Sequence, residues 1–416
     1  MEEVTTRDEQ ELDATESSSG MSRSSLLKRS ALMAAGIGVG STLIAACGGD
    51  DSAEAQTEEP PPAADPPSEA GEAPAPAGGG AASGLFPGGA DFDAAMRARF
   101  EGQTVRVGWT PPVLSEFFDI MEHSAFWMLK EAEDRWGITW EWQRAGPSGD
   151  FDTVEEHFNI VQNWVQADYD AIAICTAGDF ASMREVYLGA IADGTAIYEF
   201  NQPNELWPLE EQTHISSITY DNARQSGYLA GTYIAQQLGG SGRILQVWGP
   251  SGHWAESRQN GLDQALAENP GLEVVAKADG GYVRDKGFDA AQNLLASNPD
   301  VDAIYGENEE MALGASQAID AAGLKHWDGT DGILTIGADG LQSGYDAIRE
   351  GRLTATIYVG TIEQGMNVVK TVIFNRLLGM PVDKIQNQPC TVVDASNVDI
   401  YEGLTKWALA SPKEYG

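Results

Sequence analysis

The sequence predicts an α/β chain folded into two Rossmann-like lobes with parallel sheets, and three observations predict it. From Thr104 onward short β-rich runs alternate with amphipathic helical stretches, the pattern of strands wound with helices on both faces of a sheet. The runs are more numerous than one open sheet comfortably holds, so the chain divides into two cores. A strandless insertion, Gln202 to Gln212, precedes Tyr220-Asp221-Asn222, where the division is expected.

The expected strands of the first lobe are Thr104–Trp109, Thr139–Gln143, Ala171–Cys175 and Ala196–Phe200. Those of the second are Arg243–Trp248, Leu272–Ala276, Ala303–Tyr305, Ile333–Gly337 and Thr354–Tyr358. Each is rich in β-branched or aromatic residues. Helical patterns fill the gaps, among them Phe117 to Trp136 and Met311 to Ala322.

The first hundred residues read differently. Arg23, Lys28 and Arg29 form a basic patch, followed by an apolar run from Ala31 to Ala46 that is short for a membrane span of about 20 residues. A basic region, an apolar region and small residues at its end describe a secretory signal peptide, with Met21 as a second candidate start. Leu43-Ile44-Ala45-Ala46-Cys47 resembles a bacterial lipobox, and that resemblance implies lipidation of Cys47. A twin-arginine signal is disfavoured because Ser24 stands where its second arginine would be. Beyond Gly48 the chain is Pro, Ala, Gly, Glu and Asp, which cannot offset its ordering entropy by burial and reads as an extended linker. The expected division is a leader at 1–46 and a lipidated Cys47 with linker over 47–101.

Charge excludes one class of function. Lys and Arg number 25 against 63 Asp and Glu, a net charge of −38, and only 6 basic and 17 acidic side chains fall within residues 1–100. Nucleic-acid binding rests on cations that neutralise phosphates, so no nucleic-acid partner is expected. Enzyme signatures are also missing: there is no GxSxG, HExxH or P-loop, and no Gly fingerprint after the first strand. His123, His157, His214, His253 and His326 lack metal-ligand spacing, so neither catalysis nor a metal or other cofactor is expected. Three cysteines make no disulfide scaffold; a Cys175–Cys390 bridge and two buried thiols both remain open.

Ligands of open α/β sheets bind beyond the carboxyl ends of the strands. The residues there include Phe117 and Phe118 after the first strand, Asn201 after Phe200, Trp254 and Arg258 after Trp248, Tyr282, Asn308 and Asp339. Aromatic faces together with amide, carboxylate and guanidinium groups suit a polyhydroxylated ligand. Each has a plainer role as well. Asn308 and Asp339 precede helical patterns and could serve as N-caps, Arg258 could be solvated, and the phenylalanines could be core. Trp109, Trp127, Trp140 and Trp142 read either as core or as an apolar ligand edge.

These residues fall within a specific resemblance. Asn298-Pro299-Asp300-Val301-Asp302-Ala303-Ile304, the helix start Asn308-Glu309-Glu310-Met311-Ala312-Leu313-Gly314-Ala315, Ile336-Gly337-Ala338-Asp339-Gly340, Leu353-Thr354-Ala355-Thr356-Ile357 and Arg258-Gln259-Asn260-Gly261 resemble motifs of the ribose-binding type of periplasmic sugar-binding proteins of ABC transporters. The resemblance runs from about Val105 to Ser396. It implies the type I periplasmic-binding-protein fold, with a three-segment hinge near Tyr220-Asp221, Tyr358-Val359 and Thr391-Val392. The lobes would then be 102–220 plus 359–391 and 221–358 plus 392–416. It further implies a monomer that binds a sugar or polyol without altering it, and that works with permease and ATPase subunits from the outer face of a membrane to which lipid holds it. A receptor that passes ligand state to a membrane kinase or chemoreceptor is the competing implication. Phe117 and Phe118 would stack on one sugar face opposite Tyr282, while Arg258, Asn308 and Asp339 would bond hydroxyls. Two positions depart: Phe200-Asn201 replaces an Asp-Arg pair, and Val359 replaces a glutamine, which puts ribose itself in doubt.

Overall fold

A computed structural model describes residues 84–416 apart from 149–153, 177–179, 205, 207, 413 and 416; the leader, Cys47 and the linker up to residue 83 lie outside the described residues. The elements run α1 (Ala90–Phe100), β1 (Thr104–Thr110), α2 (Glu116–Trp136), β2 (Thr139–Arg144), α3 (Val154–Gln166), β3 (Ala171–Ile174), α4 (Phe180–Ala192), β4 (Ala196–Phe200) and β5 (Ser216–Thr219). They continue with α5 (Tyr228–Leu238), β6 (Ser241–Trp248), α6 (His253–Glu268), β7 (Gly271–Asp279), α7 (Arg284–Ser297), β8 (Ala303–Gly306), α8 (Glu309–Ala321), β9 (Leu334–Asp339), α9 (Gln342–Arg349) and β10 (Ala355–Tyr358). The chain ends with α10 (Thr361–Thr371), β11 (Ile385–Asn387), β12 (Thr391–Asp394) and α11 (Val398–Leu409).

Two six-stranded sheets result, ordered β11-β5-β4-β3-β1-β2 and β12-β10-β9-β8-β6-β7. Every pairing is parallel except β10 with β12. The central strands are buried on both faces, as parallel sheets covered by helices require: β3, β4, β8 and β9 carry no exposed residue. The chain passes between the sheets three times, after β5, after β10 and between β11 and β12. All nine expected strands are present, and the two-lobed α/β class is the observed one.

Three strands were not expected. Ser216-Ser217-Ile218-Thr219 has one apolar residue, yet all four positions are buried. Its first hydroxyl is satisfied by a distant segment, with Ser216 Oγ donating to the Asp383 carbonyl at 2.6 Å and accepting from Gln386 Nε2 at 2.9 Å. The strand is set by its sheet position rather than by an apolar signal. β11 and β12 are only three and four residues long.

The linker range 47–101 is too long. Residues 90–100 form α1, which packs on α2, and Phe86 is buried with its ring 4.8 Å from that of Trp136. Arg135 fixes the segment through Asp93, with Nη2 to Oδ1 at 2.7 Å. The low apolar content of this stretch hid a helix that depends on tertiary contacts. At the other end, β12 lies in the second sheet, but α11 touches α2 as well as α9 and so is not confined to the second lobe. Trp109, Trp140 and Trp142 are buried core, and Trp127 stacks on Trp407. Cys175 and Cys390 are free thiols, Cys175 buried and Cys390 half-buried.

Close helix contacts in the second lobe explain one motif. A Cβ on Gly261 would lie 1.8 Å from the Ala223 carbonyl oxygen, and one on Gly227 would lie 1.9 Å from that of Arg258. The glycine three residues after Arg258 therefore lets α6 sit against the turn before α5, which sets the height of Arg258 in the cleft.

Candidate functional site

The carboxyl ends of the two sheets face each other across a cavity of about 350 Å³. Its walls include Phe117, Phe118, Asn201, Trp254, Arg258, Tyr282, Asn308 and Asp339, so the structure brings together all eight residues selected as ligand contacts. Phe117 and Phe118 come from the first turn of α2, their rings edge to face at 5.0 Å. Phe200 lies beneath them, 6.1 Å from Phe118, and stacks on Trp109 at 3.9 Å with the planes 5° apart. The residue standing in place of a charged partner is thus part of the aromatic floor of the first lobe.

Asn201 follows on a left-handed backbone, φ 52°. Its N–H donates to Gln364 Oε1 at 3.0 Å, and Gln364 Nε2 donates to the Val359 carbonyl at 3.0 Å. An amide five residues beyond Val359 therefore ties the crossover to the cleft. The Asn201 side-chain oxygen is buried and has no hydrogen-bond partner among the described residues.

Arg258, buried on α6, holds the opposite wall. Its Nη2 donates to the Tyr220 hydroxyl at 2.7 Å, its Nη1 donates to the Glu307 carbonyl, and its Nε has no partner among the described residues. Its guanidinium carbon lies 6.0 Å over the Tyr282 ring. Tyr282 is also left-handed, φ 58°, and a Cβ on Gly249 would lie 2.0 Å from its Cζ. Gly249 is therefore the seat of that ring, which accounts for the glycine at the start of Gly249-Pro250-Ser251-Gly252.

Asn308 combines a capping role with a place on the cavity wall. It caps α8, accepting from Met311 N at 2.9 Å, while its Nδ2 donates to the Tyr282 carbonyl at 3.3 Å. Asp339 is not a cap, because α9 starts after Leu341. It ends β9 at φ 153° and accepts from Glu309 N at 3.4 Å. Burial pushes its carboxyl up to about 7, opposed chiefly by Arg258. Glu307 is raised to about 7 and Glu309 to about 8, both mainly by burial. Of the four non-glycine residues at positive φ among the described ones, Asn201, Tyr282 and Asp339 line this cavity. Backbone in sparsely populated conformations is thus gathered at this one cavity.

The rim carries residues that sequence reasoning missed. Glu116 Oε1 accepts the N–H of Gln342 at 3.0 Å, so a first-lobe carboxylate caps the second lobe's α9. Burial raises the Glu116 carboxyl. A second bond across the cleft runs from Trp254 Nε1 to the Asn201 carbonyl at 3.1 Å. Arg284 pairs with Glu310 at 2.8 Å. In the sequence these charges read as ordinary solvated helix starts, and only the adjacency of Glu116 to Phe117 hinted at the cleft. Among the described residues no cluster of His, Cys, Asp and Glu could hold a metal ion.

Comparison with known proteins adds the family. The model of the periplasmic binding protein domain matches residues 107–374. The ribose import binding protein of Haemophilus influenzae is 38% identical over 144 residues, 34% of this chain and 46% of that protein. The xylitol-binding protein of Mycolicibacterium smegmatis is 31% identical over 170 residues, 40% of this chain and 46% of that protein. The chain thus spans about half the length of these curated relatives. An ABC transporter solute binding protein from Bacillus halodurans, solved with bound myo-inositol, superposes with a TM-score of 0.63 at 24% identity, covering 73% of this chain and 99% of that one. That likeness bears on the fold.

Proposed function

The chain belongs to the periplasmic binding protein domain family, and from that premise we propose that it captures a monosaccharide or polyol between its lobes and delivers it to an ABC importer without altering it. One observation carries the reading: the eight residues chosen from the sequence converge on a single interlobe cavity. The chemistry of its walls supports a hydroxylated ligand. Phe117 and Phe118 offer apolar faces to the C–H side of a ring, and Tyr282 and Trp254 supply the facing wall. Asp339 is placed to accept hydroxyl protons, while Asn201 and Arg258 add an amide and a guanidinium group to the wall. The names of the relatives, a ribose and a xylitol binder, support the same class.

Closure is the working step. The three crossovers serve as the hinge, and ligand held by both walls favours the closed form through contacts that the open form lacks. Glu116 on α9 and Trp254 on Asn201 are further bonds made only when the lobes meet. Delivery then needs only that the permease recognise the closed pair.

A thermal-shift screen of residues 84–416 against pentoses, hexoses, inositols, sugar alcohols and amino acids tests the reading. A sugar or polyol should raise the melting temperature, since a ligand of the native state alone must stabilise it. A shift with amino acids alone would sink the proposal. The tether is tested separately. Cys47 is proposed as the lipidated residue, so Cys47→Ser should move the protein from the membrane to the soluble fraction, and unchanged membrane recovery would remove the anchor.

A further inference from the structure

A second cavity, of about 900 Å³, adjoins the first and shares Trp254, Tyr282 and Val283 with it. It opens between the loop after β6, the end of β7 and one face of α7, with Val154 of the first lobe at its edge. From this juxtaposition we infer that the cleft takes a two-part ligand, a glycoside or short oligosaccharide, with one ring in the inner cavity and the attached unit in the outer one. The inference rests on the sugar reading above and names the substrate class more narrowly.

Three features argue for it. The inner cavity is of a size for one sugar ring, and the adjoining outer one is larger still, so a single ring leaves the outer space unused. The shared wall is aromatic and fixed. Trp254 is held by its bond to the Asn201 carbonyl, and Tyr282 lies on Gly249, so each ring presents a surface to both sides. The outer wall then offers hydroxyl partners. Lys286, Asp289 and Asn293 recur along α7 at helical spacing and line the cavity, and none makes a side-chain hydrogen bond or ion pair with a described residue.

Charge narrows the attached unit. The two cavities together are lined by Glu116, Asp279, Asp285, Asp289, Glu310 and Asp339 against Arg258, Arg284 and Lys286. An acidic surplus disfavours phosphorylated or carboxylated extensions and leaves a neutral glycosyl group.

The test is calorimetric titration of the purified chain with matched pairs: galactose against lactose and melibiose, glucose against maltose and cellobiose, myo-inositol against galactinol. The two-unit member of one pair should bind about tenfold tighter than its single ring, the equivalent of one or two added hydrogen bonds. The double variant K286A/D289A should remove that gain and leave the single ring's affinity within twofold. Its melting temperature without ligand should match that of the parent chain, which shows that it folds. Single rings binding as tightly as or tighter than every two-unit ligand would overturn the inference and leave the sugar reading standing. A gain that survives K286A/D289A would overturn the assignment to the outer cavity. No binding by any member would overturn the sugar reading, and this inference with it.

Discussion

Replacing Asp339 by Asn should weaken capture of a hydroxylated ligand about a hundredfold, the order expected for a lost charge-assisted hydrogen bond in a buried site. The shape of the side chain survives and only the charge goes, so the loss isolates the carboxylate. The parent chain should also show a pH dependence that the variant lacks. Burial holds the Asp339 carboxyl protonated up to about pH 7, with Arg258 pulling the other way and Glu310 adding to the rise. A ligand hydroxyl that donates to Asp339 requires the carboxylate. Below pH 7 binding must therefore release a proton, and affinity should fall by about tenfold between pH 8 and pH 6. Titrations at several pH values, in buffers of different ionisation enthalpy, would measure both the slope and the proton released. A slope unchanged in Asp339→Asn would assign the titration to Glu307 or Glu309, which also rise to about 7 and 8. Affinity that increases toward low pH would mean that Asp339 works as a neutral donor, contrary to the role proposed.

The same raised carboxyls bear on stability with a definite sign. Glu307, Glu309 and Asp339 bind protons more readily folded than unfolded. Between the ordinary carboxylate range and about pH 8 the folded state therefore holds more protons, and stability declines as pH rises through that window. A hydroxylated ligand that stabilises the Asp339 carboxylate recovers part of that loss. The site is built at the expense of the empty protein, as binding sites commonly are.

Much of this was legible because position after a strand is a physical address. In a parallel sheet every strand ends at the same edge, so Asn201, Arg258, Tyr282, Asn308 and Asp339 could be gathered without knowing how the lobes face each other. Periodicity found nine strands because their faces are buried by helices, and burial writes itself as β-branched and aromatic runs. β5 escaped because its polar side chains are satisfied by partners far away in sequence, Asp383 and Gln386. α1 escaped because its apolar content is low and two residues, Met96 and Phe100, carry its burial. Glu116 escaped because its partner, the N–H of Gln342, is 226 residues away and on the other lobe. Asn308 shows that a capping role and a cleft position are not alternatives, since a helix that begins at the edge of a sheet has its cap where ligands bind.

Removing the Trp407 side chain should destabilise the protein by about 2 kcal/mol and loosen ligand capture, because α11 braces the two lobes. The helix holds each lobe by a different half. Its first two turns reach the second lobe: Asp399 and Glu402 accept from Arg349 at 2.6 and 2.8 Å, and Glu402 accepts from Gln342 Nε2 at 2.7 Å. Its last turn and the tail reach the first lobe. Trp407 stacks on Trp127 at 5.3 Å with planes 9° apart, and its carbonyl accepts from Trp127 Nε1 at 2.9 Å. Ser411 Oγ lies 2.9 Å from His123 Nδ1, and the Tyr415 hydroxyl donates to Glu133 at 2.7 Å. The second-lobe half carries an aromatic contact as well, Tyr401 on Tyr358 with ring centroids 5.1 Å apart, so ion pairs and ring contacts must be weighed separately. The Asp399 side chain is 88% exposed, and an ion pair so placed contributes little once screened. The aromatic contact buries apolar area, which salt does not screen. Trp407→Ala should lower the urea midpoint, whereas Arg349→Ala should leave it nearly unchanged. The tryptophan variant should also speed ligand release in stopped-flow measurements, with Trp407→Phe restoring most of both properties. A larger loss from Arg349→Ala than from Trp407→Ala would reverse this ranking of the two contacts.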